Sequence, residues 1–257
     1  MKRGNYNMKL LNLATVAALS ATILVGGATA FAEEAREVQT QGEVTFTPNS
    51  DEETVVTPPE SEPEVVIPPV VPSTGPLTIA YAPSMNFGVQ PISNQDQTYS
   101  MLAEMQELAD GTGDTPYVSF AQVQDTRGNN EGWTLSVTAS EFTSGTQNAE
   151  LTGAQISLLD PTIDYDGNNA LNAPTAHVST LSLVPGAATT IMEAAEGQGA
   201  GSSSVVWGDQ VALNDSTDAE VLNDAIQLFV PGTTAKDATT YTADLSWELT
   251  ATPANEI

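Results

Sequence analysis

Hydrophobic and polar residues alternate along several segments of this chain. Between residues 133 and 140 every second side chain is apolar, and the residues between them are Thr and Ser. The same period of two recurs between residues 241 and 250. This period places apolar side chains on one face of an extended strand. Two half-buried strands are therefore predicted at 133–140 and 241–250.

Shorter apolar runs punctuate the rest of the second half of the chain. They predict further strands at 117–123, 154–158, 177–183, 205–207 and 226–230. Clusters of Gly, Asn, Asp and Pro separate them, at 128–130, 166–169 and 231–232. Many short strands joined by such turns are typical of all-β proteins. We predict a single β-sandwich or barrel-like domain spanning residues 77–257.

Two segments depart from this alternation. In residues 98–109, Met101, Leu102, Met105 and Leu108 have helical spacing, and Gly111 follows as a stop signal. The pattern alone predicts a short helix there. Residues 213–226 are ambiguous between helix and strand.

The first 32 residues have the layout of a secretory signal peptide. Lys2, Arg3 and Lys9 precede an apolar run, which ends in the small-residue site Ala30-Phe31-Ala32. The alternative is a permanent membrane anchor, because the run is long enough to span a bilayer. We predict cleavage, secretion and no later transmembrane segment.

Residues 33–76 have a different composition from the predicted domain. They hold eight of the 16 prolines and many Glu residues. Proline lacks the amide hydrogen that helices and sheets require. We therefore predict an acidic, Pro-rich, disordered spacer.

The charge balance excludes one class of partner. The net charge is −27, and beyond residue 32 three bases against 33 acids give −30. Nucleic acid binding needs Lys and Arg to neutralise phosphates, so it is excluded. Anionic surfaces should bind this chain best at low pH or high salt, which weaken repulsion. Cys is absent, so a core without disulfides must hold the domain together.

Residues that carry chemistry are few. His177 is the only histidine, it falls in a predicted strand, and no Gly-x-Ser-x-Gly elbow accompanies it. Nothing in the spacing selects a catalytic pair among the carboxylates. Asp164 and Asp166 belong to a segment resembling part of a calcium loop, but a closing Glu at the right spacing is missing and a polar turn is favoured. We predict a protein that is not an enzyme and needs no cofactor or metal.

Two Trp-x-Leu frames carry a resemblance to a known family. They are Trp133-Thr134-Leu135 and Trp247-Glu248-Leu249, and other segments accompany them in order: Met85-Asn86-Phe87-Gly88, Val123-Gln124-Asp125-Thr126-Arg127-Gly128 and Ile226-Gln227-Leu228-Phe229-Val230-Pro231-Gly232. Together they resemble the WxL-domain family of Gram-positive bacteria, over residues 75–253.

The resemblance implies a function at the cell surface. Such domains attach non-covalently to the cell wall, with peptidoglycan as ligand. They act beside other WxL proteins and a membrane-anchored WxL-interacting protein, in adhesion-related surface complexes. The alternative is an interaction subunit that docks on that membrane-anchored protein and contacts the wall only indirectly. The resemblance also implies extended structure at 98–109, against the helical pattern.

The role of the Trp-x-Leu residues stays open at the level of sequence. A Trp ring offers a flat apolar face to a sugar, so Trp133, Leu135, Trp247 and Leu249 could form a binding platform. Strict alternation with polar residues favours instead the core face of a sheet, where aromatic rings bury the most area.

Overall fold

The computed structural model describes residues 41–48, 54–69 and 75–251. The predicted signal peptide and the remaining residues of the predicted spacer and C-terminus lie outside these ranges. Contacts divide the chain into two units, Met1–Val44 and Thr45–Ile257. All secondary structure given below belongs to the second unit.

Short strands make up almost all of the regular structure. In chain order they are β1 Val65–Val66, β2 Leu77–Tyr81, β3 Gln97–Leu102, β4 Glu104–Leu108, β5 Asp114–Tyr117, β6 Ser119–Asp125, β7 Trp133–Ala139, β8 Gln155–Leu159, β9 Thr162–Tyr165, β10 Thr175–Ala176, β11 Thr180–Leu183, β12 Ala188–Ala194, β13 Gly201–Trp207, β14 Leu222–Val230 and β15 Leu245–Thr250. The helices in the described ranges are the 3-10 turn Ala170–Asn172 and the α-helix α1, Gln210–Asp215. Neither has the length and apolar character that crossing a bilayer requires.

The strands pair antiparallel in small sheets. Three sheets have four strands each, in the orders β10-β12-β7-β15, β11-β8-β14-β3 and β2-β6-β13-β9. A three-stranded sheet has the order β1-β4-β5. The predicted all-β, sandwich- or barrel-like class is confirmed.

One apolar core is shared by the three four-stranded sheets. Each contributes fully buried side chains, among them Leu135 from β7, Leu158 from β8 and Val205 from β13. The strands therefore enclose a common interior, as in a barrel, because each sheet turns one alternating apolar face inward.

A second core lies on the opposite face of the β2-β6-β13-β9 sheet. Phe120 on β6 and Val206 on β13 point into it, while their neighbours Ala121 and Val205 point into the first core. Both faces of β6 are thus covered, which explains why six of its seven residues are buried.

Residues 54–69 form part of this second core, which differs from the predicted disordered spacer. Val56, Val65 and Ile67 are buried there, and β1 pairs with β4. The Tyr117 hydroxyl donates to the Glu60 carbonyl at 2.8 Å and accepts from the Glu60 N–H at 2.8 Å. The apolar residues of this segment pack it against the second core.

The helix expected from the pattern of residues 98–109 is wrong. The segment forms β3 and β4, as the family resemblance implied. Met101 is buried in the first core and Ala103 in the second, so the chain passes between two sheets at this point. Intrinsic helix propensity is worth only tenths of a kcal/mol per residue, and this burial overrides it.

The ambiguous segment 213–226 contains both kinds of structure. It begins in helix α1 and ends in strand β14. Asp209 caps the helix by accepting from the Val211 and Ala212 N–H groups.

A largely covered carboxyl group, that of Glu104, lies near the second core. Glu104 accepts from the Tyr81 hydroxyl at 3.0 Å and from the Ser84 N–H at 3.2 Å. Its second oxygen is buried without a hydrogen-bond partner in the described chain. Burial raises the pKa of Glu104 above its usual value of 4.5, against the opposing effect of these hydrogen bonds.

Candidate functional site

The two Trp-x-Leu frames lie on neighbouring strands. In the antiparallel register of β7 and β15, Leu135 faces Leu249 directly and Trp247 faces Val137. Their side chains therefore share one face of the sheet, and that face belongs to the first core.

The first frame is completely enclosed. Trp133 and Leu135 are each 0% exposed. The Trp133 indole N–H donates to the Gly199 carbonyl at 3.1 Å, so the polar end of the ring is satisfied inside the protein. In this conformation Trp133 has no surface to offer a ligand.

The second frame lies at the edge of its sheet. Trp247 and Leu249 are half-buried and pack against the first core. Strand β15 pairs with β7 and with no other described strand. Both Trp-x-Leu frames thus lie on the core face of the sheet, as the alternation of apolar and polar residues predicts. The residues of the second frame alone are partly exposed.

Arg127 fixes the connection between β6 and β7. Its guanidinium donates from Nε and Nη2 to the two carboxylate oxygens of Asp125, at 2.9 and 2.7 Å. Nη2 also donates to the Gly132 carbonyl at 2.8 Å. These bonds give the Gln-Asp-Thr-Arg-Gly segment a structural role immediately before Trp133.

A cavity of about 780 Å³ opens at one end of the first core. Two irregular segments line it, the loop 85–92 after β2 and the chain 236–245 that leads into β15. Leu151, Ile156, Leu228 and Val230 add apolar side chains from the core. We call this space the aromatic cavity, because its walls include Phe87, Tyr99, Phe142 and Tyr241.

All four aromatic residues pack in or against the first core, and two of them contact each other. Phe87 and Phe142 meet edge to face, with ring centroids 6.4 Å apart and an interplanar angle of 70°. Phe, Tyr and Trp form only 6% of the chain, so four such rings around one cavity are a local concentration. The sequence pattern alone does not single out these residues as a site. The segments 85–88 and 226–232 contributed to the resemblance, and both contribute to the cavity wall.

Lys236 secures one wall of the aromatic cavity. Its ammonium group donates to the carbonyls of Pro231 and Thr234 at 2.9 Å each and of Ser93 at 3.2 Å. An ammonium has three donors, so this set uses all of them. The lysine therefore ties the turn after β14 to the loop before β3.

Asp237 and Tyr241 secure another part of the wall through Asn148. The Asp237 carboxylate accepts from the Asn148 side-chain amide at 2.7 Å and from its backbone N–H at 2.9 Å. These hydrogen bonds lower the pKa of Asp237. The Tyr241 hydroxyl donates to the Asn148 carbonyl at 2.7 Å and accepts from the Asp237 N–H at 3.0 Å. The Asp237 carboxylate is thus already hydrogen-bonded to another residue of the chain.

His177 follows β10 and lies outside any strand, contrary to the prediction. Its Nε2 accepts from the Trp207 indole N–H at 2.9 Å, and its Nδ1 lies 2.6 Å from the Val178 carbonyl. Since an indole only donates and a carbonyl only accepts, Nδ1 carries the proton of a neutral ring. Burial lowers the pKa of His177, which agrees with this state. Both nitrogens are occupied, so neither activates a nucleophile in this arrangement.

Asp164 lies in β9 and Asp166 follows that strand. Burial, and secondarily repulsion from Asp166, raise the pKa of Asp164. In the described ranges, no group of three or more His, Asp or Glu residues is arranged to hold a metal ion. The Asn169 side chain caps the following 3-10 turn by accepting from the Leu171 N–H. The polar turn in place of a calcium loop stays a prediction.

Fold and cavity together define an all-β domain with an aromatic ligand-sized recess. Residues 33–253 match the family model described as WxL domain surface cell wall-binding. The match covers most of the chain, and the protein belongs to this family of surface proteins that bind cell walls. No curated protein and no solved structure matches the chain significantly.

Proposed function

We propose that this protein attaches non-covalently to the Gram-positive cell wall, with peptidoglycan as its direct ligand. The observation that carries the proposal is membership of a wall-binding family over residues 33–253. The role is recognition without bond chemistry. The half-buried His177, with both ring nitrogens engaged, supports this assignment.

The protein reaches the wall as a secreted chain with an N-terminal signal peptide. The acidic residues 33–53 then precede the packed part of the chain. At the surface the protein takes part in adhesion-related complexes with other WxL proteins. Signal cleavage, spacer and complexes rest on the sequence pattern and on the family resemblance.

Electrostatics sets the conditions under which wall binding is strongest. The net charge of −27 repels the anionic polymers of a wall. Burial raises the pKa values of Glu60, Glu104 and Asp164, so these groups take up protons before ordinary carboxyls as the pH falls. Binding should therefore be tighter at pH 4 to 5 than at pH 8, since carboxyl groups titrate near pKa ~4.

A second function has one observation in its favour. Strand β15 forms a sheet edge in the described structure, and an edge accepts an added strand from a partner. A membrane-anchored WxL-interacting protein would be such a partner. In that case contact with the wall is indirect.

Co-sedimentation with washed, protein-stripped Gram-positive walls separates the two functions. Direct recognition predicts that the purified protein pellets with the walls, more completely at pH 4.5 than at pH 8. Added salt at pH 8 should increase the pelleted fraction by screening repulsion. A protein that stays in the supernatant under all these conditions contradicts direct binding and favours the partner protein. Release of soluble muropeptides from the walls would contradict the absence of catalysis.

A further inference from the structure

We propose that the aromatic cavity is the wall-ligand site and that it binds the uncharged glycan, as N-acetylated amino sugars. The inference rests on the wall binding proposed above and names its ligand class. It also separates the site from the Trp-x-Leu frames that give the family its name.

The cavity has the size and lining of a ligand site. Its volume of about 780 Å³ lies within the range of roughly 300–1,000 Å³ typical of small-molecule pockets. Phe87, Phe142 and Tyr241 present rings in its wall. An aromatic face is electron-rich, so it attracts the weakly positive C–H groups on the flat side of a pyranose. The methyl of an N-acetyl group adds apolar area for the aliphatic side chains of the cavity.

The charges in the wall of the cavity exclude an ionic ligand. One lysine and one aspartate, Lys236 and Asp237, balance each other in a chain whose net charge is −27. The three donors of Lys236 are all used by backbone carbonyls, and Asp237 is held by Asn148. Carboxylates and phosphates of the wall would meet a negative protein without a free cation in this cavity. The glycan is the uncharged component that fits.

The rim carries apolar side chains that a ligand would cover. Val89 is 100% exposed and Ile92 is 60% exposed, and both line the cavity. Thr239, Thr240 and Thr242 on the other side add hydroxyl groups for sugar hydroxyls and amides. An apolar rim with a few polar groups is typical of a pocket that fixes ligand orientation by hydrogen bonds.

The walls are also held in place before a ligand arrives. Lys236 ties two loops together, and Tyr241 bonds to Asn148. Thr143 and Thr242 exchange backbone hydrogen bonds at 2.8 and 2.9 Å. A preorganised site loses less conformational entropy on binding than a mobile one.

Charged substitutions at the rim test the site without disturbing the core. The double variant Val89→Glu/Ile92→Glu places two carboxylates at the mouth of the cavity. The matched control is Val178→Glu/Val211→Glu, at positions 72% and 68% exposed that do not line the cavity. Both variants gain the same net charge, so a general repulsion affects them equally. A third variant, Phe142→Leu, keeps an apolar side chain but removes one ring face.

Two readouts are measured for each protein: titration with the neutral tetramer of N-acetylglucosamine, and co-sedimentation with stripped walls at pH 4.5. We expect the rim variant to bind the tetramer at least about tenfold more weakly than the control, since a ligand that covers the rim would strip water from the two carboxylates. Phe142→Leu should also weaken binding, with circular dichroism and thermal melting confirming that each variant is folded. Wall pelleting should fall in parallel with tetramer binding.

Other outcomes overturn the proposal and distinguish its failure from that of wall binding. If the wild type pellets with walls but the rim variant pellets equally, wall binding stands and the cavity is the wrong site. If the wild type pellets but does not bind the tetramer, the ligand class is wrong. If neither readout shows binding, the proposed function and this inference both fail. Loss of tetramer binding in both variants alike would assign the effect to net charge and reject the site.

Discussion

Trp133→Ala should lower the free energy of unfolding of the domain more than Trp247→Ala does. Trp133 is 0% exposed and its N–H bonds to the Gly199 carbonyl at 3.1 Å. Replacing a buried Trp by Ala costs about 3–5 kcal/mol, including the cavity left behind. For a domain of this size, each kcal/mol lowers Tm by roughly 2–4 °C, so the expected loss is roughly 6–20 °C.

Trp247→Ala provides the comparison within the same motif. Trp247 is only half-buried, on the edge strand β15. Part of its ring is already in water, so its truncation should cost about 2 kcal/mol. Trp133→Phe separates the contribution of apolar burial from that of the hydrogen bond, because Phe keeps an apolar ring but lacks the N–H that donates to Gly199.

Urea and thermal unfolding, followed by far-UV circular dichroism, measure these differences. The order expected is Trp133→Ala least stable, then Trp133→Phe and Trp247→Ala, then the wild type. Wall pelleting of each folded variant is measured at a temperature well below its Tm. If Trp133→Ala keeps the wild-type Tm but no longer pellets, the residue is a binding platform and the burial reasoning is refuted.

The remaining predictions concern a buried acid, a close turn and the packed segment 54–69. Glu104→Gln should raise the free energy of unfolding at pH 8. The pKa of Glu104 in the folded protein is raised above 4.5, so the protonated carboxyl stabilises the fold fully below pH 4.5. This stabilisation is lost as the pH rises through the folded pKa, and the neutral Gln avoids the loss. Urea midpoints that differ between variant and wild type by the same amount at pH 4 and pH 8 would contradict this. Gly132→Ala should destabilise the domain more than Gly128→Ala in thermal melts. Both glycines have positive φ, but a Cβ at Gly132 would collide with the Ala194 carbonyl oxygen, whereas Gly128 faces open space. Equal losses of stability would assign the effect to backbone strain alone. Tyr117→Phe removes both hydrogen bonds to Glu60 and should speed proteolytic cleavage within residues 54–69, mapped by mass spectrometry. An unchanged cleavage rate would mean that the apolar contacts alone hold the segment.

The two Trp-x-Leu frames illustrate how a sequence motif can mark the core face of a sheet. Leu135 and Leu249 face each other across two strands, so the repeated Trp-x-Leu pattern marks a pair of strands that build one core. The aromatic cavity, in contrast, is lined largely by the segments 85–92 and 236–245, which connect such strands. Loops carry binding residues more often than core strands do, since their side chains are not needed for packing.

The amino-acid sequence alone determined the class of the fold and the family. Alternation with a period of two needs only local information, because side chains on a strand point to opposite faces in turn. It predicted the strand that became β7 and the inward face of Trp133. The Trp-x-Leu frames and their companion segments gave the family resemblance, which the match over residues 33–253 confirms.

Only the tertiary structure decided the remaining features, because they depend on contacts between residues that are distant in the sequence. Residues 98–109 have a helical pattern, yet pairing of β3 with β14 and of β4 with β1 makes them strands. Val65 and Ile67 lie in a Pro-rich segment that looks like a spacer, but the second core gives them a place to be buried. Phe87, Phe142 and Tyr241 are far apart in the chain and become one cavity only through folding. Burial by long-range contacts outweighs local propensity, because burying a side chain contributes about 1.5–3 kcal/mol. Helix propensity contributes only tenths of a kcal/mol per residue.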